Sequence, residues 1–201
     1  MFTGIIEHTG KVAKVQPLKG GKEITIESEL TELLQIDDSV SINGACHTVI
    51  SRNEKEFVVQ SVEETLRKTT MGSLNTGMMV NLEDSLTMQK KLDGHVVQGH
   101  VDTTGIIRKI EEEGANWLIT VEFPESFAPY LVPRGSVAID GISLTVARLE
   151  LTSFVVAIIP YTWEHTNLHE REVGDHVNLE FDVLGKYVLR AIETGFIKPN
   201  H

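Results

Sequence analysis

The chain has 201 residues, of which 41% are hydrophobic, 23% charged and 6% aromatic, a composition that suits folded domains with real cores and argues against long disorder. Eighteen Lys and Arg against 29 Asp and Glu leave a net charge of −11, which speaks against nucleic acid and anionic membrane surfaces as partners. The one cysteine, Cys46, excludes an intrachain disulfide and a multi-cysteine zinc site.

In chain order, the opening M-F-T-G-I-I-E has no basic segment followed by an apolar one, so it does not read as a secretory signal, and the cytosol is the expected compartment. No apolar run reaches the length of a membrane span. Short runs of valine, isoleucine and threonine follow, separated by turn dipeptides, and predict strands. Asn43-Gly44 is a strong hairpin signal, because a tight primed turn needs positive φ at both central residues. A helical turn is expected near 63–67, a linker over 88–93, and a second helical turn near 124–131. Asp140-Gly141 marks a second hairpin.

These elements occur twice. D-S-V-S-I-N-G-A-C-H-T-V at 38–49 matches G-S-V-A-I-D-G-I-S-L-T-V at 135–146, and the register holds without a gap from 38–83 to 135–180. Sixteen of those 46 positions are identical. The segments ahead align at an offset of 95 residues, T-G-I-I-E-H-T-G with Q-G-H-V-D-T-T-G. Two copies of one β-rich domain are expected, over 1–90 and 95–182, each a small closed barrel without exposed edges. After Asp182 the period changes. Leu184, Tyr187, Val188, Ala191 and Ile192 recur at three- and four-residue steps, predicting an amphipathic helix within 183–201, with Asp182 as its N-cap. Its apolar stripe packs on a partner subunit or docks back on its own domain.

Strand parity sorts the second strand of each hairpin. Ile142, Leu144 and Val146 belong inside the barrel, while Ser143 and Thr145 point outward. In the first copy the outward pair is Cys46 and Thr48. His47 takes the inward parity that Leu144 fills in the other copy, so it reads as a satisfied barrel histidine before a catalytic one. His95 and His100, five apart, face opposite ways on one strand and cannot share a metal. His165 and His169 have chelating spacing, yet the glutamate of a zinc hydrolase motif is missing, and the other copy has Lys68 and Gly72 there. No G-x-G-x-x-G, Walker or G-x-S-x-G motif is present.

Taken in order, M-F-T-G-I-I-E, N-G-A-C-H-T-V, E-T-L-R-K-T-T, V-N-L-E, G-H-V-V-Q-G-H-V-D, I-D-G-I-S-L-T-V and I-P-Y-T resemble riboflavin synthase over essentially the whole chain. The resemblance implies an all-β fold of two similar six-stranded antiparallel Greek-key barrels plus a C-terminal helix that assembles a homotrimer. It implies dismutation of two 6,7-dimethyl-8-ribityllumazine molecules to riboflavin and 5-amino-6-ribitylamino-2,4-pyrimidinedione, with no metal and no cofactor. The N-barrel of one subunit would face the C-barrel of the next, and lumazine synthase is a further partner it suggests.

Carried over by motif, the catalytic candidates are Phe2, Cys46, His100, Ser143, Thr145 and Asp182. Cys46 or water would add to the lumazine of the N-barrel. Ser143 and Thr145 would serve the C-barrel, and His100 and Asp182 would handle protons. The substrate-binding candidates are Thr3, Gly4, Ile5, Ile6, Ser39, His47, Thr48, Gln60, Val62, Glu64 and Thr65 in the first half, and Gly99, Val101, Arg134, Leu144, Ala157, Ile159, Pro160 and Thr162 in the second. The chain departs from the family pattern at His47, where leucine is usual, at Asp93, where a glycine is usual, and at Arg134, where lysine is common. A non-catalytic lumazine or flavin carrier is the rival reading. A flavin reductase would need a nicotinamide-binding domain that the sequence does not contain.

Overall fold

The computed structural model describes residues 1–197. Twelve strands form two closed barrels of six, and the two have the same topology. The first contains β1 (His8–Leu18), β2 (Gly21–Glu27), β3 (Ser39–Ile42), β4 (Ala45–Arg52), β5 (Glu56–Val62) and β6 (Met79–Asp84). Around it the order is β1-β2-β5-β4-β3-β6, closed by β6 pairing with β1. The second contains β7 (Thr103–Glu113), β8 (Asn116–Glu122), β9 (Ser136–Ile139), β10 (Ile142–Leu149), β11 (Ser153–Ile158) and β12 (His176–Phe181), in the corresponding order. All pairings are antiparallel.

The repeat extends to irregularities. β1 carries a bulge between Val12 and Lys14, and β7 has one between Ile107 and Lys109. β4 has another between Val49 and Ser51, matched in β10 between Val146 and Arg148. Bulges bend a strand and sharpen its twist, which helps a sheet this small close on itself. Each barrel fills with its inward aliphatics. Val12, Ile24, Val40, Val49, Phe57 and Val80 occupy the first core, and Ile107, Ile119, Val137, Val146, Phe154 and Val177 the second.

Both hairpin turns have the predicted primed geometry: φ is 46° and 78° at Asn43-Gly44 and 44° and 83° at Asp140-Gly141. The two turns meet back to back. A Cβ on Gly44 would stand 2.7 Å from the Gly141 nitrogen, so only glycine permits this approach. Around that contact runs a buried polar network. Asn81 Nδ2 donates to the Asp140 carbonyl (3.0 Å) and Asn178 Nδ2 to the Asn43 carbonyl (2.7 Å). Arg171 pairs with the fully buried Asp140 at 2.7 Å. Burial pushes the Asp140 carboxyl up, and the Arg171 charge opposes that shift.

Helical pieces sit where strands hand over. The turn expected near 63–67 is α1 (Glu63–Lys68), and the one near 124–131 is a 3-10 turn at Glu125–Tyr130. Three more 3-10 turns, at Glu29–Glu32, Thr70–Ser73 and Asn167–Glu170, were not anticipated, nor was α2 (Pro160–His165), the repeat of α1. The terminal helix is α3 (Val183–Glu193), and Asp182 caps it through Oδ1 to the Leu184 N–H at 2.9 Å. α3 docks on its own barrel through the 3-10 turn at Glu125–Tyr130 and a Lys186–Asp102 ion pair of 2.7 Å. Its stripe of Leu184, Tyr187, Val188 and Ile192 nonetheless stays exposed.

Candidate active site

Two short arms cross between the barrels. The segment ahead of β1 and the segment ahead of β7 meet at Phe2 and Val97, whose backbones exchange hydrogen bonds of 2.7 and 3.1 Å. Each arm then runs onto the other barrel. Ile6 enters the core of the second barrel, and Val101 packs against the core of the first. The Gly4 carbonyl accepts from the Ser143 N–H at 2.8 Å, and the Gly99 carbonyl from the Cys46 N–H at 2.9 Å. Both glycines have positive φ, 78° and 81°, and a Cβ on either would fall 2.6 or 2.5 Å from the Cβ of Ser143 or Cys46. The arms can lie this close only because those positions are bare.

A glutamate at the end of each barrel's last strand fastens its arm. Glu83 accepts from the Thr3 N–H and hydroxyl, both at 2.7 Å, and from the Gly4 N–H at 3.0 Å. Glu180 accepts from the Gln98, Gly99 and His100 N–H groups at 2.6, 3.0 and 3.0 Å. Both carboxylates are buried. Desolvation raises their pKa values, and the donated N–H bonds oppose the rise.

The crossing builds two pockets from equivalent parts. One, of about 190 Å³, is lined by Ala45, Cys46, Glu64, Thr65, Lys68, Thr69, Gly99, His100 and Val101. The other, of about 200 Å³, is lined by Gly4, Ile5, Ile6, Ile142, Ser143, Tyr161, Thr162, His165 and Thr166. Every residue of one has its repeat partner in the other. Each pocket takes its hairpin and helix from one barrel and its third wall from the opposite barrel's arm. Cys46 and Ser143, both half-buried, occupy the same position in the two.

Eleven of the sequence-derived candidates meet in these pockets: Cys46, Glu64, Thr65, Gly99, His100 and Val101 in the first, and Gly4, Ile5, Ile6, Ser143 and Thr162 in the second. Phe2 and Thr3 lie buried beneath, Phe2 against Val97 and Cys46. Thr48 and Thr145 are exposed one outward step farther along their strands, opposite Ser39 and Ser136. Gln60, Val62, Ala157 and Ile159 are exposed at or just past the ends of β5 and β11, and Pro160 opens α2. Arg134 sits in a turn with φ 65°. Leu144 packs against the second core. His47 is buried in the first barrel, its Nδ1 2.9 Å from the Ala45 carbonyl and its Nε2 3.2 Å from Ser61 Oγ. Burial pushes its imidazole pKa down.

Sequence reasoning missed His95. Its Nδ1 lies 2.7 Å from Ser143 Oγ, and its Nε2 is buried without a partner. Desolvation lowers its pKa, while the charge of Asp182 raises it. Lys68, Tyr161, His165 and the two anchoring glutamates were missed as well. The repetition of V-N-L-E in both copies was the signal that pointed to the glutamates.

The lumazine binding domain model matches residues 3–85 and again 98–182. The riboflavin synthase of Brucella abortus is 40% identical over 199 residues, covering 96% of this chain and 98% of that protein. Those of Actinobacillus pleuropneumoniae and Bacillus subtilis are 38% and 36% identical over comparable spans. The chain belongs to the riboflavin synthase family. Among solved structures, LumP complexed with 6,7-dimethyl-8-(1'-D-ribityl) lumazine superposes with a TM-score of 0.82 at 20% identity, covering 90% of this chain and 99% of that one. LumP complexed with riboflavin gives 0.84. At that identity the likeness establishes the shared fold. The two matched segments of this riboflavin synthase family member begin and end with the arm-plus-barrel units described above.

Proposed function

We propose that this chain catalyses the dismutation of two 6,7-dimethyl-8-ribityllumazine molecules, with one bound in each pocket. The reaction moves a four-carbon unit from one lumazine to the other, giving riboflavin and 5-amino-6-ribitylamino-2,4-pyrimidinedione. Its atoms balance without oxidant or reductant. One observation carries the reading: the two pockets are equivalent residue by residue. A reaction between two copies of one substrate needs two copies of one site. Fixing both reactants in one pose supplies much of the acceleration, since effective molarities reach about 10⁵–10⁸ M.

The two ligands must be brought face to face. The open apolar stripe of α3 supports a trimer in which the N-barrel pocket of one subunit faces the C-barrel pocket of the next. Cys46 and Ser143 then flank the two lumazines, with Phe2 wedged beneath Cys46. His100 carries protons at the first pocket. Thr145 and Asp182 stand near the second. The exposed binding candidates at the strand ends, Gln60, Val62, Ala157 and Ile159, hold the ring and ribityl chain of each ligand, while His47 and Leu144 support the pockets from inside the barrels. The cytosol is the compartment that suits this chemistry, and lumazine synthase is the partner that would supply substrate.

The test is to mix the purified chain with the lumazine alone and follow riboflavin absorbance. Steady-state turnover is expected, and it should fall about tenfold or more in His100→Gln and measurably in Cys46→Ser and Ser143→Ala. Bound colour without turnover would instead make the chain a carrier. Near wild-type rates in all three variants would overturn the residue assignment.

A further inference from the structure

Each segment that leaves a barrel returns a lysine to the foot of that barrel's arm. After the first barrel, Lys90 Nζ lies 2.7 Å from Asp84 and 3.4 Å from Glu7. After the second, Lys186 of α3 pairs with Asp102 at 2.7 Å. Glu7 and Asp102 are repeat partners in the two leading segments. Asp102 is tied in twice more. Its Oδ2 accepts from the Phe181 N–H at 2.8 Å, and its own N–H donates to the Leu179 carbonyl at 2.9 Å. Two residues earlier stands His100, whose N–H is held by Glu180. Burial raises the Glu180 pKa, and the Gln98 N–H and the Lys186 charge act against that rise. Lys186 therefore supports the arm in two ways: it grips Asp102, and it favours the charged Glu180 that binds the arm's N–H groups. The Lys186 side chain is 25% exposed and that of Asp102 20%, so water screens this pair less than a surface pair.

We propose that Lys186 is a positioning residue for the first pocket: through Asp102 it seats the arm that carries Gly99, His100 and Val101 against Cys46. The proposal deepens the dismutase reading above and rests on it for the step affected, in which His100 carries protons. Lys186 itself lines neither pocket. It acts by keeping the arm closed. The Gly99 carbonyl accepts from the Cys46 N–H at 2.9 Å, so an arm that lifts uncovers the thiol and displaces the imidazole together. A half-buried ion pair of this kind shifts the balance between seated and lifted arm by about three- to tenfold. Lys186 belongs to the same helix as the exposed stripe of Leu184, Tyr187 and Val188. In the trimer proposed above that stripe joins the subunits, so the docking of a neighbour on α3 is felt at His100.

Cys46 is the one thiol of the chain, so its rate of alkylation by iodoacetamide, measured on the full chain without lumazine at a fixed pH, reports the arm. Lys186→Met should speed alkylation about three- to tenfold, and Lys186→Arg should keep it near the wild-type rate. Removing a cation by itself disfavours the thiolate and slows alkylation, so a rise reports uncovering of the sulfur. Lys90→Met removes the matching pair from the arm that lies on Ser143 and should leave the rate unchanged, which separates a local effect from general destabilisation. Riboflavin formation from the lumazine should fall in Lys186→Met by a similar factor and recover in Lys186→Arg. A silent Lys186→Met, or an equal rise in Lys90→Met, overturns the proposal. So does faster alkylation with undiminished turnover. If the labelling pattern holds but wild type forms no riboflavin, the seating of the arm by Lys186 stands and the dismutase reading falls alone.

Discussion

The imidazole of His95 and the hydroxyl of Ser143 are joined across the domain boundary, with Nδ1 2.7 Å from Oγ. His95 comes from the segment linking the barrels, and Ser143 from a hairpin 48 residues later. The histidine thus holds the serine rotamer in the second pocket, and burial pushes its pKa down against the opposing charge of Asp182. Folding loses stability as such a ring must be protonated. Its native pKa lies below the unfolded value of about 6.5, so the unfolded chain binds the proton more readily in that interval. The contribution is complete above the unfolded pKa and is lost as pH falls below it toward the native value. His95→Gln should therefore shrink the drop in thermal midpoint between pH 7.5 and pH 5.5. An unchanged drop would mean that other groups carry the acid sensitivity.

His47 obeys the same sign and offers a cleaner substitution. Its repeat partners are instructive: where the first barrel pairs His47 with Ser61, the second places Leu144 and Ile158. His47→Leu alone strands the buried Ser61 hydroxyl and should cost about 1–3 kcal/mol. Adding Ser61→Ile copies the second barrel's solution and should recover most of that loss. Denaturant titrations at pH 7 of both variants check this, and a double variant no more stable than the single would contradict it.

Glu83 and Glu180 each fasten the arm that completes the other barrel's pocket. Replacing Glu83 with alanine leaves three donors without their acceptor, a cost of roughly 2–4 kcal/mol. The effect on binding should appear at a distance. Glu83→Ala should impair the pocket containing Ser143, and Glu180→Ala the pocket containing Cys46. Calorimetric titration with the lumazine should give two sites per chain in the parent and one in each variant. Loss of both sites in either would mean that the arms act as one unit.

The exposed stripe of α3 makes a prediction about assembly. Leu184→Glu and Val188→Glu place charge on side chains that stay largely exposed among the described residues, so the barrels should remain folded. Sedimentation should show a shift from trimer to monomer, and turnover should fall with it. Unaltered sedimentation together with unaltered turnover would remove the trimer from the proposed mechanism.

Much of the fold was legible because it is written twice. The gapless register of 38–83 on 135–180 marked two equivalent domains, the N-G and D-G turns and the parity that faces Cys46 outward, while six strands per barrel came from the family resemblance. Asp182 announced its helix by local chemistry. The arms were not legible. Their contacts join residues about 80 apart, as Thr3 with Glu83 and Gln98 with Glu180, and no periodicity within a strand encodes a partner at that distance. His95 escaped for the same reason: its neighbour in space comes from another hairpin. α2 was overlooked although α1 was expected; Pro160 stands at its first turn, where proline's fixed φ suits a helix start.

The exchange of arms makes the two halves interdependent. A single unit of this kind cannot complete its own pocket with the segment it carries in front, because that segment lies on the sibling barrel. Severed at the linker, either half regains a whole pocket only by borrowing the leading residues of a second unit.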